Sequence, residues 1–318
     1  MNLEQLQGFV EIARLGHFTR AAERLHLAQP SLSRQISSLE QELGAELFHR
    51  ARGHITLTAA GEALLPRARR MLADADAIRE SMAELADLTR GRVRLGATPT
   101  LCVSLVTEAM SDFHAAHPGI ELHLTVGGSH LLIEQLTGGE LDMALITTSD
   151  GLASGSTALI RTPLLIEELV VISSAAQPAV TDETTINLEQ LSQLPIIAFH
   201  ENYDLRVATD AAFRASGYVP QIVVEGAEMD AVLRFVERGL GVAVVPAMVL
   251  LERPSLRSVR LIDPQLTRTV SVAHRSDVNP TRAATAMRRT IVTTATKMAE
   301  HNPATLRFID MSAQPAAD

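Results

Sequence analysis

The stretch "FTRAAERLHLAQPSLSRQISSLEQE", residues 18 to 42, decides the fold of the amino-terminal part of this chain. Phe18, Ala21, Ala22 and Leu25 fall at helical spacing on one side of a short helix, and Leu32, Ile36, Leu39 and Leu43 do the same on a second. A four-residue break separates them, so the two stripes can be buried together. That burial leaves the opposite face of the second helix in solvent. Ser31, Arg34, Gln35 and Ser38 lie on it, with Gln29 beside the helix start and Pro30 at the first helical position, where a missing N–H costs nothing. Hydroxyls, amides and a guanidinium are the groups that hydrogen-bond phosphates and base edges in a major groove. The pattern predicts a helix-turn-helix.

Working outward, Leu3, Leu6, Phe9, Val10 and Ala13 predict an opening helix that Gly16 ends, so three helices share one small core. After Gly44, "AELFHRARGHITLTAAG" places Arg50, Arg52 and His54 in a basic connection. Ile55 and Leu57 then alternate as in a strand before Thr58 caps the next helix. This reads as a wing, with Arg50 and Arg52 as candidate phosphate contacts and a solvated charged loop as the alternative. Beyond it, Leu64, Ala68, Met71, Ala75, Ile78, Met82 and Leu85 recur at spacings of four and three, a heptad seam. The seam predicts a long linker helix that dimerises and is bent near Pro66. The alternative is a connector packed on its own chain.

With 318 residues, 46% of them hydrophobic, the chain is large enough for several cores and is not globally disordered. Its net charge of -9 excludes a uniformly basic nucleic-acid coat. The charge is uneven, because residues 1 to 70 hold nine Arg against seven acidic groups, and the other 248 hold 19 basic against 30 acidic groups. No apolar run is long enough to cross a bilayer and the start carries no signal-peptide pattern, so a cytoplasmic protein with no membrane partner is expected. The single cysteine, Cys102, excludes an intrachain disulfide and reads as a small core side chain rather than a nucleophile. The 11 histidines show no metal-ligand spacing, and no cofactor is expected.

Near Gly91 the pattern changes. "RVRLGA", with Val93, Leu95 and Ala97 alternating, predicts a strand, and strands and helices then alternate as in βαβ units. Further strands are expected at "IELHLTV", "LDMALI", "LVVIS", "PIIAF", "QIVVE", "GVAVVP", "SVRLI" and "TVSVAH", with helices around 205 to 216, 228 to 238 and 281 to 299. An α/β region of two lobes fits this rhythm better than one uninterrupted sheet. Thr98, Thr100 and Ser129 stand at successive strand ends, either as ordinary N-caps or as hydroxyls lining a shared anion-binding cleft. Thr147 and Thr148 follow another strand, and His200 and Glu228 follow or precede others. Asp142 reads as a structural strand-start group. An enzyme acting on a small acid is the alternative reading of such a cleft. However, Ser129 has no Gly-x-Ser-x-Gly setting, and neither a phosphate loop nor dinucleotide-binding spacing is present.

Taken together, "FVEIARLGHFTRAAERLHLAQPSLSRQISSLEQELGAELFHR" and "LTAAGEALLPRARRML" resemble the amino-terminal module of LysR-type transcriptional regulators. Looser similarity continues through "GRVRLGATPT", "FHAAHPGIELHLTVGGS", "LTGGELDMALI" and "VERGLGVAVVP". The resemblance implies an α+β and α/β chain: a winged helix-turn-helix over 1–58, a dimerising linker helix over 59–90 and an effector-binding domain over 91–300. That domain would be two-lobed and periplasmic-binding-protein-like, with lobe 1 formed by 92–161 and 268–300 and lobe 2 by 162–267, followed by a tail over 301–318. It implies DNA contact by Gln29, Ser31, Ser33 and Arg34 in the reading helix. The wing departs from the family pattern, since its second arginine stands one place early and a threonine precedes "LT". Effector contact would fall to Thr98, Thr100, Ser129, Thr148, His200 and Glu228. The implied partners are double-stranded promoter DNA, a small-molecule effector such as an organic carboxylate, a second copy or a dimer of dimers (a homotetramer), and RNA polymerase.

Overall fold

The computed structural model describes residues 1–51, 54–84, 91–149, 158–181, 183–201, 203–251 and 253–309. Backbone packing separates the chain into two units. The first begins with α1 (Leu3–Leu15), which starts in a capping box between Asn2 and Gln5 and stops where Gly16 turns left-handed. Next come α2 (Phe18–Arg24) and α3 (Gln29–Leu43). The antiparallel strands β1 (Phe48–Ala51) and β2 (His54–Leu57) form the wing. Then α4 runs over Ala59–Glu84, its first turn held by the Gly61 N–H donating to Thr58 Oγ1 at 3.1 Å. Leu6, Phe9, Ile12, Leu32, Ile36 and Leu39 are wholly buried, and Phe48 packs its ring against Phe9 and Phe18.

Three details differ from the sequence reading. Leu43 is exposed rather than buried, because it is the last residue before Gly44 ends the helix. Pro30 occupies the second helical position, since Ala28 is the cap and Gln29 the first. The heptad seam is also divided. Ala68 is wholly buried in this unit's own core with Leu64 packed beside it, whereas Met71, Ile78 and Met82 are exposed. Only the latter part of the seam is free for a partner, and Leu85, Arg52 and residues 310–318 lie outside the described residues.

The second unit holds β3 (Gly91–Ala97), β4 (Ile120–Val126), β5 (Met143–Ser149), β6 (Leu159–Ser174) and β7 (Thr185–Asn187). It continues with β8 (Pro195–Phe199), β9 (Gln221–Ala227), β10 (Ala243–Pro246), β11 (Leu256–Ile262), β12 (Thr267–Arg275) and β13 (Leu306–Phe308). The helices are α5 (Pro99–Leu101), running through a π-helical turn (Cys102–Val106) into α6 (Thr107–Ala116), then α7 (Ser129–Thr137), whose residues from Glu134 are grouped with the first unit, and α8 (Leu188–Ser192). After them come α9 (Asp204–Ser216), α10 (Met229–Glu237) and α11 (Arg282–His301). Parallel strands β4, β3 and β5 continue into antiparallel β12 and β6, then β11 and β7. Two cores flank that path. Val93, Leu95, Leu145, Val270 and Met287 belong to one, and Val171, Ile196, Phe213, Leu233 and Val244 to the other.

Strand β6 belongs to both lobes. Its Leu164 and Leu165 pack in the first core and its Leu169 to Ile172 in the second, so the exchange falls inside the strand rather than at residue 162. Asp142 ties β3 to β5 by accepting from the Arg94 N–H at 2.7 Å and from Arg94 Nη2 at 2.6 Å. The expected tail from 301 is partly structured, because Leu306–Phe308 pairs with β6. Among the described residues no helix is long and apolar enough to cross a membrane.

Gly61 tests the join between wing and linker helix. A methyl group there would meet the Leu47 carbonyl oxygen and Leu57 Cδ2, whereas one on Gly128 would meet nothing within 4 Å. Gly61→Ala is therefore expected to cost about 1–3 kcal/mol, by overpacking against backbone that cannot yield. Gly128→Ala should stay within about 0.5 kcal/mol of the parent, as an unobstructed site does. Urea unfolding followed by far-UV circular dichroism checks both.

Candidate functional site

The outward face of α3 carries Gln29, Arg34, Ser37 and Ser38, all exposed, and the buried Leu32–Ile36–Leu39 stripe fixes that face by helical geometry. Arg34 lies along its own helix, its Nε donating to the Pro30 carbonyl at 3.3 Å, so its guanidinium is held loosely in solvent. Ser31 and Ser33 are half-buried at the flanks of the face. Gln35 departs from the expected arrangement. It is half-buried beside α1, with its Oε1 3.7 Å from where a Gly8 Cβ would stand, and that oxygen has no donor among the described residues. The cause is rotation, since residue 35 precedes Ile36 and shares part of its inward turn. Ser37, absent from the expected set, takes the open position. Arg50 lies in β1, in register with Ile55.

In the second unit a cavity of about 270 Å³ opens between the two lobes, lined by Thr98, Thr100, Thr147, His200, Tyr203, Asp204, Glu228 and Arg268, with apolar Pro99 and Leu205. Thr98 caps α5 through its backbone alone; its hydroxyl makes no cap bond and lies 3.5 Å from that of Thr100. Arg268 Nη1 donates to Thr100 Oγ1 at 2.8 Å, so the threonine's own proton is left to point elsewhere. Behind them, Arg268 is paired with Glu167, which is wholly buried. Arg268 Nε donates to Glu167 Oε2 at 2.8 Å and the Met248 N–H donates to Oε1 at 2.7 Å. Nη2 stands 2.8 Å from Oε2 but makes no aligned hydrogen bond, leaving the fork one unused donor.

The other wall is acidic. Asp204 opens α9 and Glu228 precedes α10, positions where carboxylates offset the positive end of a helix dipole. Ser129 Oγ donates to Asp204 Oδ2 at 3.0 Å, and Thr147 Oγ1 lies 3.3 Å from the same oxygen. Lobe 2 thus places its own carboxylate on hydroxyls of lobe 1. Ser129 is not a simple N-cap and does not line the cavity, because Asp204 has taken its hydroxyl. Thr148 does not line it either; strand side chains alternate, and Thr147 is the one that faces it. Tyr203 Oη donates to Glu228 Oε2 at 2.8 Å, and its ring stacks on Phe199 at 5.4 Å. Burial first, and the Glu228 contact second, raise the Tyr203 phenol well above its ordinary range, so it acts as a donor.

Thr98, Thr100, His200 and Glu228 are therefore brought together, and Arg268, Asp204 and Tyr203 join them without having been singled out from sequence. Asp204 stands four residues after His200, at the start of α9. Nothing local marked Arg268, whose partner is 101 residues away. Cys102 packs near the Ala97 carbonyl, and burial pushes its thiol up to about 11, which keeps it protonated and poorly nucleophilic. Among the described residues no three or more His, Cys, Asp or Glu side chains come together as metal ligands would.

Residues 86–296 match the family model described as "LysR substrate binding domain", and residues 3–62 match "Bacterial regulatory helix-turn-helix protein, lysR family". Among curated proteins, the HTH-type transcriptional regulator IlvR of Caulobacter vibrioides is 32% identical over 287 residues, covering 88% of this chain and 95% of that protein. An uncharacterised HTH-type transcriptional regulator of Bacillus subtilis, YybE, is 31% identical over 273 residues, covering 86% and 92%. Among solved structures, a variant of full-length OxyR from Pseudomonas aeruginosa superposes with a TM-score of 0.70 at 27% identity, covering 92% of this chain and 94% of that one. Full-length CbnR complexed with its target DNA shares the fold, with a TM-score of 0.65 at 23% identity over 93% and 99%.

The buried pair invites a double-mutant cycle. Arg268→Met strands the Glu167 carboxylate in the interior and is expected to destabilise the second unit by about 3–5 kcal/mol. Adding Glu167→Met should recover most of that loss, because two apolar side chains replace two desolvated charges. Chemical unfolding of the parent, both single variants and the double variant measures the coupling.

Proposed function

The chain belongs to the LysR family of bacterial transcriptional regulators, and from that membership we propose that it binds promoter DNA sequence-specifically and changes that binding when a small molecule enters the interlobe cavity. The observation that carries the reading is the α3 face. A wholly buried apolar stripe turns Gln29, Arg34 and Ser38 outward, in a unit whose wing carries Arg50 in β1. Arg34 is the candidate for bidentate contact with guanine, while Gln29 at the helix start and Ser31, Ser33 and Ser38 at its sides supply amide and hydroxyl contacts to bases and phosphates. Gln35 is left a supporting role. The activity is regulatory, not enzymatic.

Two copies are needed, since one reading helix covers only half of a palindromic site. The exposed Met71, Ile78 and Met82 on α4 are the surface we assign to that pairing, with a dimer of dimers as the larger assembly. DNA as the target places the protein in the cytoplasm. For the effector, the hydroxyls of Thr98 and Thr100, backed by Arg268, favour a molecule carrying a carboxylate. The cavity volume of about 270 Å³ suits a small metabolite.

Selection of fragmented genomic DNA by the purified protein, followed by footprinting at controlled salt, is expected to return a few palindromic promoter sites. Broad recovery without a protected motif would defeat the reading. On a selected site, Arg34→Ala should cost about 1–3 kcal/mol of binding, roughly five- to 150-fold. Its unfolding midpoint should barely change, because the side chain is exposed. Fluorescence anisotropy with labelled duplex measures the loss.

A further inference from the structure

We propose that the cavity is built for a zwitterion, a small amino acid carrying both an ammonium and a carboxylate group, rather than for a simple organic acid. The inference rests on the reading of this cavity as the effector site and names the class of molecule it takes.

The two walls differ in chemistry. One presents the Thr98 and Thr100 hydroxyls, both nearly wholly buried, with Arg268, 3% exposed, holding Thr100 from behind. Because Thr100 Oγ1 already accepts from Arg268, its proton can only be given away, toward Thr98 or toward a ligand oxygen. This wall donates, and a carboxylate fits it. The opposite wall accepts. Asp204 spends Oδ2 on the lobe 1 hydroxyls and Glu228 spends Oε2 on Tyr203. The second oxygen of each carboxylate takes no hydrogen bond from the described residues.

Charge decides between an acid and a zwitterion. The one guanidinium among the described lining residues is already compensated by Glu167, so Asp204 and Glu228 leave the lining net negative. A simple acid would bring a third carboxylate into a partly desolvated space where the exposed His200 imidazole is the one remaining described lining group able to carry positive charge. An ammonium group three donors strong, set against two spare carboxylate oxygens, removes that repulsion and satisfies both walls at once. Asp204 thereby becomes the residue that selects amino acids over their deaminated counterparts, since it refuses an anion at the Ser129–Thr147 position by occupying that position itself.

The test is calorimetry on the full-length protein with the 20 common L-amino acids, the matching 2-oxo acids and the matching decarboxylated amines. At least one amino acid is expected to bind saturably and at least tenfold more tightly than both its oxo acid and its amine. Asp204→Asn should erase the preference over the oxo acid. Glu228→Gln, which retains a bond to Tyr203 and leaves the interlobe hydroxyls alone, should weaken amino-acid binding several-fold in a protein whose unfolding is unchanged. An oxo acid or an amine binding as tightly as every amino acid overturns the inference while leaving the cavity a sensor of other ligands. If nothing in the panel binds while footprinted DNA is still held, the zwitterion inference fails, and the reading of the cavity as an effector site then stands or falls on ligands of other classes.

Discussion

The ion pair of Glu167 and Arg268 sits where the two longest strands of the second unit, β6 and β12, begin to pair side by side. The residues face each other in register on β6 and β12, and each strand belongs to both lobes or joins them. A carboxylate wholly removed from water cannot remain charged there without compensation. Glu167 therefore holds Arg268 on one oxygen and the Met248 N–H, just after β10, on the other. Arg268 in turn holds Thr100 at the start of the helix after β3. One pair thus fixes four elements that the two hydrophobic cores alone would leave free to slide. A buried pair of this kind is not itself a strong source of stability, because desolvation of both ions offsets most of their attraction. What it supplies is a defined register between β6 and β12, and with it a defined position for Thr100 in the cavity.

The first unit depends on a different constraint, the economy of a very small core. Three helices and a two-stranded wing share few large side chains, so Phe9, Phe18 and Phe48 provide much of the packing. The linker helix must contribute as well. Ala68 is wholly buried among these residues, which takes the first part of the apolar seam away from any partner. The exposed remainder, Met71, Ile78 and Met82, is large enough to need covering and short enough that pairing along it calls for support from other contacts.

How much of this was legible in the sequence follows from how far apart the interacting residues are. The helices of the first unit were legible because their determinants are local: apolar spacing, Gly16, Gly44 and the Thr58 cap lie within a few residues of what they control. The strand and helix rhythm of the second unit was legible for the same reason. Leu43, Gln35 and Thr148 were misplaced by a single step of helix or strand geometry, which periodicity resolves only to the nearest face. The length of β6 was not legible, since "LIRTPLLIEELVVISS" changes cores midway and so shows no single alternation. Thr98, Thr100, His200 and Glu228 announced themselves as polar groups at strand ends. Arg268 did not, because a lone arginine inside a strand gains meaning only from Glu167, which is brought to it by topology.

The acidic wall and the lobe contact use the same carboxylate, and this links occupancy of the cavity to its geometry. Ser129 Oγ has two acceptors at 3.0 Å, the Thr147 carbonyl in its own lobe and Asp204 Oδ2 in the other, and one proton to share between them. Separation of the lobes therefore does not strand the Ser129 hydroxyl, which returns to the Thr147 carbonyl, while the charge-assisted bonds to Asp204 are lost. A ligand cation that engages the free oxygen of Asp204 leaves Oδ2 with Ser129 and Thr147, adding to the closed arrangement. A ligand that draws the carboxylate away from those hydroxyls opposes it. Ligands can shift the two arrangements only through such a difference in interaction. The choice between promoting and opposing closure thus lies in which oxygen of Asp204 the ligand takes, a distinction within a single side chain.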